Sequence, residues 1–276
     1  MTSSGPARRY VSGAYLDKLL DQLSERDWKI IADVWRCRVL SGDQITRLHF
    51  FNISQLTRQR TRRVVLARLV DWGILSPLSR RIGGIRGGSA GSVFSLDVAG
   101  QRLVRLHWPD AAADEQRARR PWTPGQLFVT HALAVSEVYV SLIETSREKD
   151  FIVESFAIEP FCWWPNGVGG YLKPDAYMRL SANRVTGHWW LELDRATESL
   201  PTIKRKLTAY LEFINRGQLG PRDIIPRVIV SVPDERRRLG VVEVIERLPS
   251  PADELFTVTV FDDTTGQLVA LVEEPP

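Results

Sequence analysis

Cut at Pro121, the chain separates into two stretches of opposite charge. Residues 1–121 carry 21 Arg and Lys against 11 Asp and Glu, net +10, and residues 122–276 carry 16 against 22, net −6. That division predicts two domains with different partners: a basic module that meets a polyanion, and an acidic one whose carboxylates serve structure or metal chemistry. A length of 276 residues accommodates two domains of roughly 100 to 200 residues each. The segment His107 to Gly125, rich in Ala, Pro and charge, falls at the junction and reads as a linker. The expected organisation is therefore an N-terminal arm over 1–23, a basic domain over 24–106, the linker over 107–125 and an acidic domain over 126–276.

Ordinary apolar content, 43%, excludes a disordered, collagenous or coiled-coil chain. Cys37 and Cys162 are too few and too far apart for a disulfide framework or a Cys-rich zinc site, which suits a reducing interior. The polar stretch Met1 to Tyr10 has no apolar core behind Arg8 and Arg9, and no run approaches about 18 consecutive apolar residues, so a cytoplasmic protein without a membrane span is expected.

Local signals give the basic domain its order. Ser24-Glu25-Arg26-Asp27 has the form of a capping box, and Trp28, Ile30, Ile31, Val34 and Trp35 follow it at helical spacing. Ser41 can cap a second, short helix with Ile45 and Leu48 inward, and Ser54 or Thr57 a third that runs to Trp72 before Gly73. Ile74 to Leu78, a glycine- and arginine-rich stretch from Ser79 to Ser92, and the alternating Val93 to Leu96 read as a hairpin. Three helices and a hairpin in this order predict a winged helix-turn-helix. On its third helix Arg58, Arg60, Arg62, Arg63 and Arg68 are expected on a basic face opposite an apolar one, and the hairpin tip adds Arg80, Arg81 and Arg86. The expected partner is double-stranded DNA, with the third helix in the major groove and the tip on the backbone or minor groove. The alternative is a solvated basic surface on a protein-binding domain.

In the acidic domain Gln126 to Lys149 reads as a long helix. Phe151–Phe161, Tyr171–Leu180 and His188–Asp194 read as strands, Ser199–Asn215 as a helix, Arg227–Val232 as a strand, Glu235–Arg247 as a helix and Leu255–Phe261 as a last strand. The order is αβββαβαβ. Pro174-Asp175 and Glu192-Leu193-Asp194 put carboxylates at the ends of neighbouring strands, and strand alternation places Glu192 and Asp194 on one face. With Asp175 they could form an oxygen cluster suited to Mg²⁺ or Mn²⁺ and to activating water against a phosphodiester. Asp175 and Glu192 are the first candidate ligands, Glu137 on the long helix is a further carboxylate, and Lys206 is preferred over Lys204 as the cation facing the phosphate. The competing reading makes Asp175 a turn residue and pairs Glu192 and Asp194 with Arg195, Lys204 or Arg205.

The αβββαβ order with Pro174-Asp175 and Glu192 resembles the PD-(D/E)XK, restriction-endonuclease-like nucleases, a mixed-sheet fold. Its Glu-X-Lys pattern would put lysine at 194, where this chain has Asp194, so activity requires that the lysine has migrated to Lys206 or that another cation serves. A winged helix followed by His131-Ala132-Leu133-Ala134-Val135-Ser136-Glu137, Lys173-Pro174-Asp175-Ala176 and Leu191-Glu192-Leu193-Asp194-Arg195, then Lys206 and Tyr210, is similar to the replication-relaxation protein family over about residues 20 to 235. That resemblance implies a DNA-processing role in plasmid replication or mobilisation, and the nuclease-like domain implies that it could nick or cleave DNA with a divalent metal. The alternative it leaves open is a non-catalytic accessory or regulator whose nuclease-like domain docks or dimerises, with a second copy or other replication and mobilisation proteins as partners.

Other motifs fail on context. Gly87-Gly88-Ser89-Ala90-Gly91 matches the serine-hydrolase elbow, yet a strand-like run follows where a helix is required. The same glycines lack the Gly-Lys-Ser/Thr of a phosphate loop, so ATP is not expected. His49, His107, His131 and His188 are isolated, which argues against zinc and against a relaxase of the paired-histidine, tyrosine kind. Trp163-Trp164 and Trp189-Trp190 could stack on splayed bases, although aromatic strand residues more often fill a core.

Overall fold

A computed structural model describes residues 11–81, 91–109 and 125–273. The chain divides into two compact units, 1–133 and 134–276.

In the first unit, serine caps set the helix starts. Helix α1 (Gly13–Gln22) begins at Ser12, whose hydroxyl accepts from the Tyr15 N–H; it lies in the second half of the expected arm. Helix α2 (Glu25–Cys37) opens on the anticipated capping box: Ser24 Oγ accepts from Asp27 N–H, and Asp27 Oδ2 accepts from Ser24 N–H. Strand β1 (Leu40–Ser41) leads into α3 (Gly42–His49), where Ser41 and Gln44 repeat the device. Helix α4 (Gln55–Asp71) has no side-chain cap at Ser54, but its end is closed tightly. Gly73 takes φ +67° there, and the Gly73 and Ile74 amides donate to Val70 and Leu69, a Schellman motif that needs a residue at ease with positive φ. Strands β2 (Leu75–Arg81) and β3 (Ser92–Leu96) pair antiparallel, and β1 adds to the other side of β3, giving the order β1-β3-β2. Helix α5 (Val98–His107) then folds back over the hairpin base, so close that a Cβ on Gly100 would lie 2.3 Å from the Ile74 carbonyl oxygen. Ile30, Ile31, Val34, Ile45, Leu69 and Ile74 form the buried centre. His107 stacks on Trp28 with ring centroids 4.2 Å apart, so the start of the expected linker is part of this unit.

The boundary between the units falls inside α6 (Gln126–Thr145). Among the described residues α6 is the one helix long and apolar enough to cross a membrane, with mean hydropathy 1.4 over its best window; half of that window is buried inside the protein, as in a core helix.

The second unit is a five-stranded mixed sheet. Strands β4 (Ile152–Ile158), β7 (Ala176–Ala182) and β8 (Val185–Leu193) form an antiparallel meander, while β9 (Arg227–Val232) and β10 (Phe256–Val260) continue parallel to β8. The sheet order is β10-β9-β8-β7-β4. Helices α7 (Leu200–Asn215) and α8 (Glu235–Glu246) are the crossovers that parallel pairing requires. The αβββαβαβ order is thus observed, with three differences. Pro174 divides the expected strand Tyr171–Leu180, since Tyr171–Leu172 (β6) pairs with Trp164–Pro165 (β5) in a separate hairpin and only Ala176 onward joins the sheet. A short helix α9 (Ala252–Leu255) precedes β10, and α10 (Thr264–Glu273) follows it. The core on the α7–α8 side gathers Trp190, Leu207, Tyr210, Phe213, Val230 and Val241.

Candidate functional site

Asp175 stands opposite Glu192, because the register that pairs Ala176 with Leu191 continues one step to them. Asp175 N–H donates to the Leu191 carbonyl at 2.9 Å, and Leu193 N–H donates to Asp175 Oδ2 at 2.7 Å, so the residue extends the ladder instead of forming a surface turn. Glu192 shares its face of β8 with the core residue Trp190, and its side chain is buried under α7. The Tyr210 hydroxyl donates to Glu192 Oε1 at 2.6 Å, and Lys206 Nζ lies 3.7 Å from Oε2. Spacing explains the pair: Lys206 and Tyr210 are four apart on α7 and so share one helix face. Lys206 also meets Glu198 at 3.0 Å. A cavity of about 10 Å³, room for one water, is lined by Glu192, Asp194, Lys206 and apolar neighbours.

Burial and the nearby Asp175 charge push the Glu192 carboxyl up to about 8, against the opposing pull of Lys206 and Tyr210. For Lys206 burial disfavours the ammonium, but Glu192 and then Glu198 outweigh it and hold the amine above its ordinary range. Burial, then the charge of Glu192, raises the Tyr210 phenol, so it donates as a neutral group. Cys162, whose thiol donates to the Pro174 carbonyl, is pushed up by burial and by Asp175 and is not a nucleophile.

The structure therefore brings together Asp175, Glu192 and Lys206. It draws Asp194 away: Arg237 Nε donates to Asp194 Oδ2 at 2.5 Å, so this carboxylate already has its cation and does not join an oxygen cluster. The ion-pair partners are Arg237 and Lys206, not the anticipated Arg195, Lys204 or Arg205. Among the described residues no group of three or more His, Cys, Asp or Glu is placed to hold a metal, so Glu137, half-buried on α6, does not complete a set with Asp175 and Glu192. Two neighbouring carboxylates of like charge remain, Asp175 raising Glu192. Tyr210 has a legible signal, its spacing from Lys206; Glu198 and Arg237 have none.

On α4 the expected division into basic and apolar faces is not what forms. Arg62 is 2% exposed and reaches Thr46 Oγ1 at 3.2 Å. Arg68 Nη2 holds both oxygens of the fully buried Asp27, at 2.6 and 2.7 Å, and its guanidinium lies over the Trp72 ring. Arg58 binds the Phe51 and Ile53 carbonyls. Arg60 and Arg63 are exposed, and so on the same helix are Leu56, at 94%, and Val64, at 62%. Three of the five arginines thus tie α4 to its surroundings, because a capping acid and open loop carbonyls offered partners within reach. The backbones of Arg80 and Arg81 end β2, while Arg86 and most of the Gly87–Gly91 motif lie outside the described residues.

The remaining aromatic and histidine residues take structural places. Trp189 and Trp190 are buried, Trp164 Nε1 donates to the Leu219 carbonyl at 2.8 Å, and Lys173 lies over the Trp163 ring. His49 faces Asp33 at 3.1 Å, and His188 Nδ1 lies 2.6 Å from the Tyr177 hydroxyl.

A protein-family model described as "replication-relaxation" matches residues 31–228, a span running from α2 into β9 that contains Asp175, Glu192, Lys206 and Tyr210. No curated protein and no solved structure matches the chain significantly.

Proposed function

The chain belongs to the replication-relaxation family, and from that membership we propose that it binds double-stranded DNA in plasmid replication or mobilisation and breaks one strand. Relaxing a supercoiled circle requires such a break, which gives the family description a chemical meaning. In this reading α2, α3, α4 and the β2–β3 hairpin are a winged helix, and the second unit is a PD-(D/E)XK-type domain. The observation that carries the reading is the convergence of half-buried Asp175 and the partly exposed Lys206 on buried Glu192 beside a strand end, with lysine supplied from α7. Glu192, oriented by Tyr210, and Asp175 would hold Mg²⁺ or Mn²⁺, which when bound supplies an activated water and charge neutralisation at phosphate. Lys206 would face the negative charge that develops on the phosphate. Arg60 and Arg63 on α4 are the side chains that face solvent and could meet DNA.

A second reading, a DNA-binding accessory without cleavage that docks a second copy or another replication protein, is favoured by one feature. Asp194 stands at the lysine position of the nuclease pattern and is fully engaged by Arg237. Purified protein incubated with supercoiled and linear plasmid in Mg²⁺, Mn²⁺ or EDTA, beside Glu192→Ala, separates the two. Nicking that needs both the metal and Glu192 is expected; a salt-sensitive gel shift with no nicking would leave the accessory reading, and the absence of any shift would remove both.

A further inference from the structure

Both ends of the loop between β8 and α7 are tied to a single guanidinium. Arg237, carried on α8, donates through Nε to Asp194 Oδ2 at 2.5 Å and through Nη2 to the Glu198 carbonyl at 2.7 Å. Within the loop, Asp194 Oδ1 accepts from Ala196 N–H at 2.8 Å, and Ala196 is held at φ +55°. The Asp194 amide donates to the Ser231 carbonyl on β9, so the start of the loop is fixed to the sheet as well. From the far end of this loop the Glu198 side chain reaches Lys206 at 3.0 Å, nearer than Glu192 at 3.7 Å.

We infer that Asp194, Arg237 and Glu198 are positioning residues for Lys206: Arg237 sets the loop, the loop presents Glu198, and Glu198 holds the lysine ammonium beside Glu192. This inference rests on the reading of Glu192 and Lys206 as the working pair of the site. A lysine on a strand, at position 194, would be directed by the pleat of the sheet. A lysine on α7 has a flexible four-carbon stem, and its side chain is 42% exposed, so its direction must be imposed from outside the helix. The planar fork of Arg237 suits that task because its N–H groups, fixed in one plane, meet a carboxylate and a carbonyl at set angles, whereas the donors of an ammonium rotate. Asp194 is then the anchor of the device that replaces the lysine missing from its own position.

Trace acylation of amines in the full-length protein at one pH, followed by peptide mass spectrometry, measures how firmly Lys206 is held. Lys204, exposed on the same helix, is the internal reference. Glu198→Gln should raise the Lys206 to Lys204 reactivity ratio about threefold, as expected for loss of an ion pair at a partly exposed site. Arg237→Gln and Asp194→Asn should move the ratio the same way, although neither residue touches Lys206. A ratio that rises in Glu198→Gln alone would reduce Arg237 and Asp194 to a structural brace and overturn the inference, as would a ratio unchanged in all three. Thermal melts accompany each variant. Should Arg237→Gln unfold, Arg237→Lys retains the cation without the two-point contact and gives the same decision. No arm reads nicking, so failure of the nuclease reading in the plasmid assay and failure of the clamp are separate results.

Discussion

Replacing Glu192 by glutamine removes an ionisable group from the interior while keeping the shape and an oxygen that accepts from Tyr210. The carboxyl is displaced from an ordinary 4.5 to about 8 by burial and by Asp175. At 1.36 kcal/mol per pKa unit that displacement, already net of the Lys206 attraction, corresponds to at most about 5 kcal/mol. The sign follows from proton binding. Between pH 4.5 and about 8 the folded protein keeps a proton on Glu192 that the unfolded chain releases, so this group costs the fold progressively more as pH rises through that window. Glu192→Gln should therefore match the wild type near pH 5 and exceed it at pH 8.5. A net gain of about 2 kcal/mol would raise Tm by roughly 4 to 8 °C in a unit of this size. Calorimetry or circular dichroism melts in EDTA from pH 5 to 9, wild type against variant, give the difference directly. A Tm difference that stays constant across the range, or is largest at pH 5, would show that Glu192 titrates as an ordinary exposed carboxylate and would refute the burial argument.

Two further outcomes follow from the first unit. Asp27→Asn takes the charge from a side chain with no solvent exposure that caps α2 and accepts two bonds from Arg68; unfolding in urea should show a loss of about 2 to 4 kcal/mol, and a loss under about 0.5 kcal/mol would mean the pair is not formed. Arg60→Gln and Arg63→Gln should each weaken DNA binding and lower the slope of log affinity against log salt by about 1 at unchanged Tm, whereas Arg62→Gln should act mainly on stability, having Thr46 and not DNA in reach; equal effects of all three on binding would refute the division of the arginines.

Local chemistry made much of the fold legible. Ser24 with Asp27, Ser41 as a cap, and Gly73 are signals that act within a few residues, and each appears in the structure where the sequence places it. Apolar and aromatic runs likewise locate β7, β8 and β9; β7 alternates inward and outward, while the end of β8 and nearly all of β9 are buried continuously. What local rules could not supply was the partner of a long side chain. Five arginines on one helix satisfy any pattern of a basic face, yet Asp27 lies 41 residues from Arg68, and the chain must fold before that carboxylate can claim it. Helices α1 and α5 were hidden for a related reason. Their sequences are short and mixed in polarity, and what stabilises them is packing, as in the Trp28–His107 stack.

The same limit explains the candidate site. Asp175 and Glu192 were legible because each ends an apolar strand, and antiparallel pairing then sets them opposite each other. Lys206 was reachable because a cation is needed beside a buried carboxylate and α7 follows directly from β8. Asp194 misled for the opposite reason: parity correctly gave it the face of Glu192, but parity says nothing of which helix covers that end of the sheet. There α8 delivers Arg237 from 43 residues away, and one ion pair converts a candidate ligand into a fixed anchor. A carboxylate at a strand end is thus two different residues according to the cation that packing brings to it. Beside Lys206, itself shared with Glu198, Glu192 keeps a carboxyl raised by burial and by Asp175; Asp194 is held at one oxygen by Arg237 and at the other by the Ala196 amide.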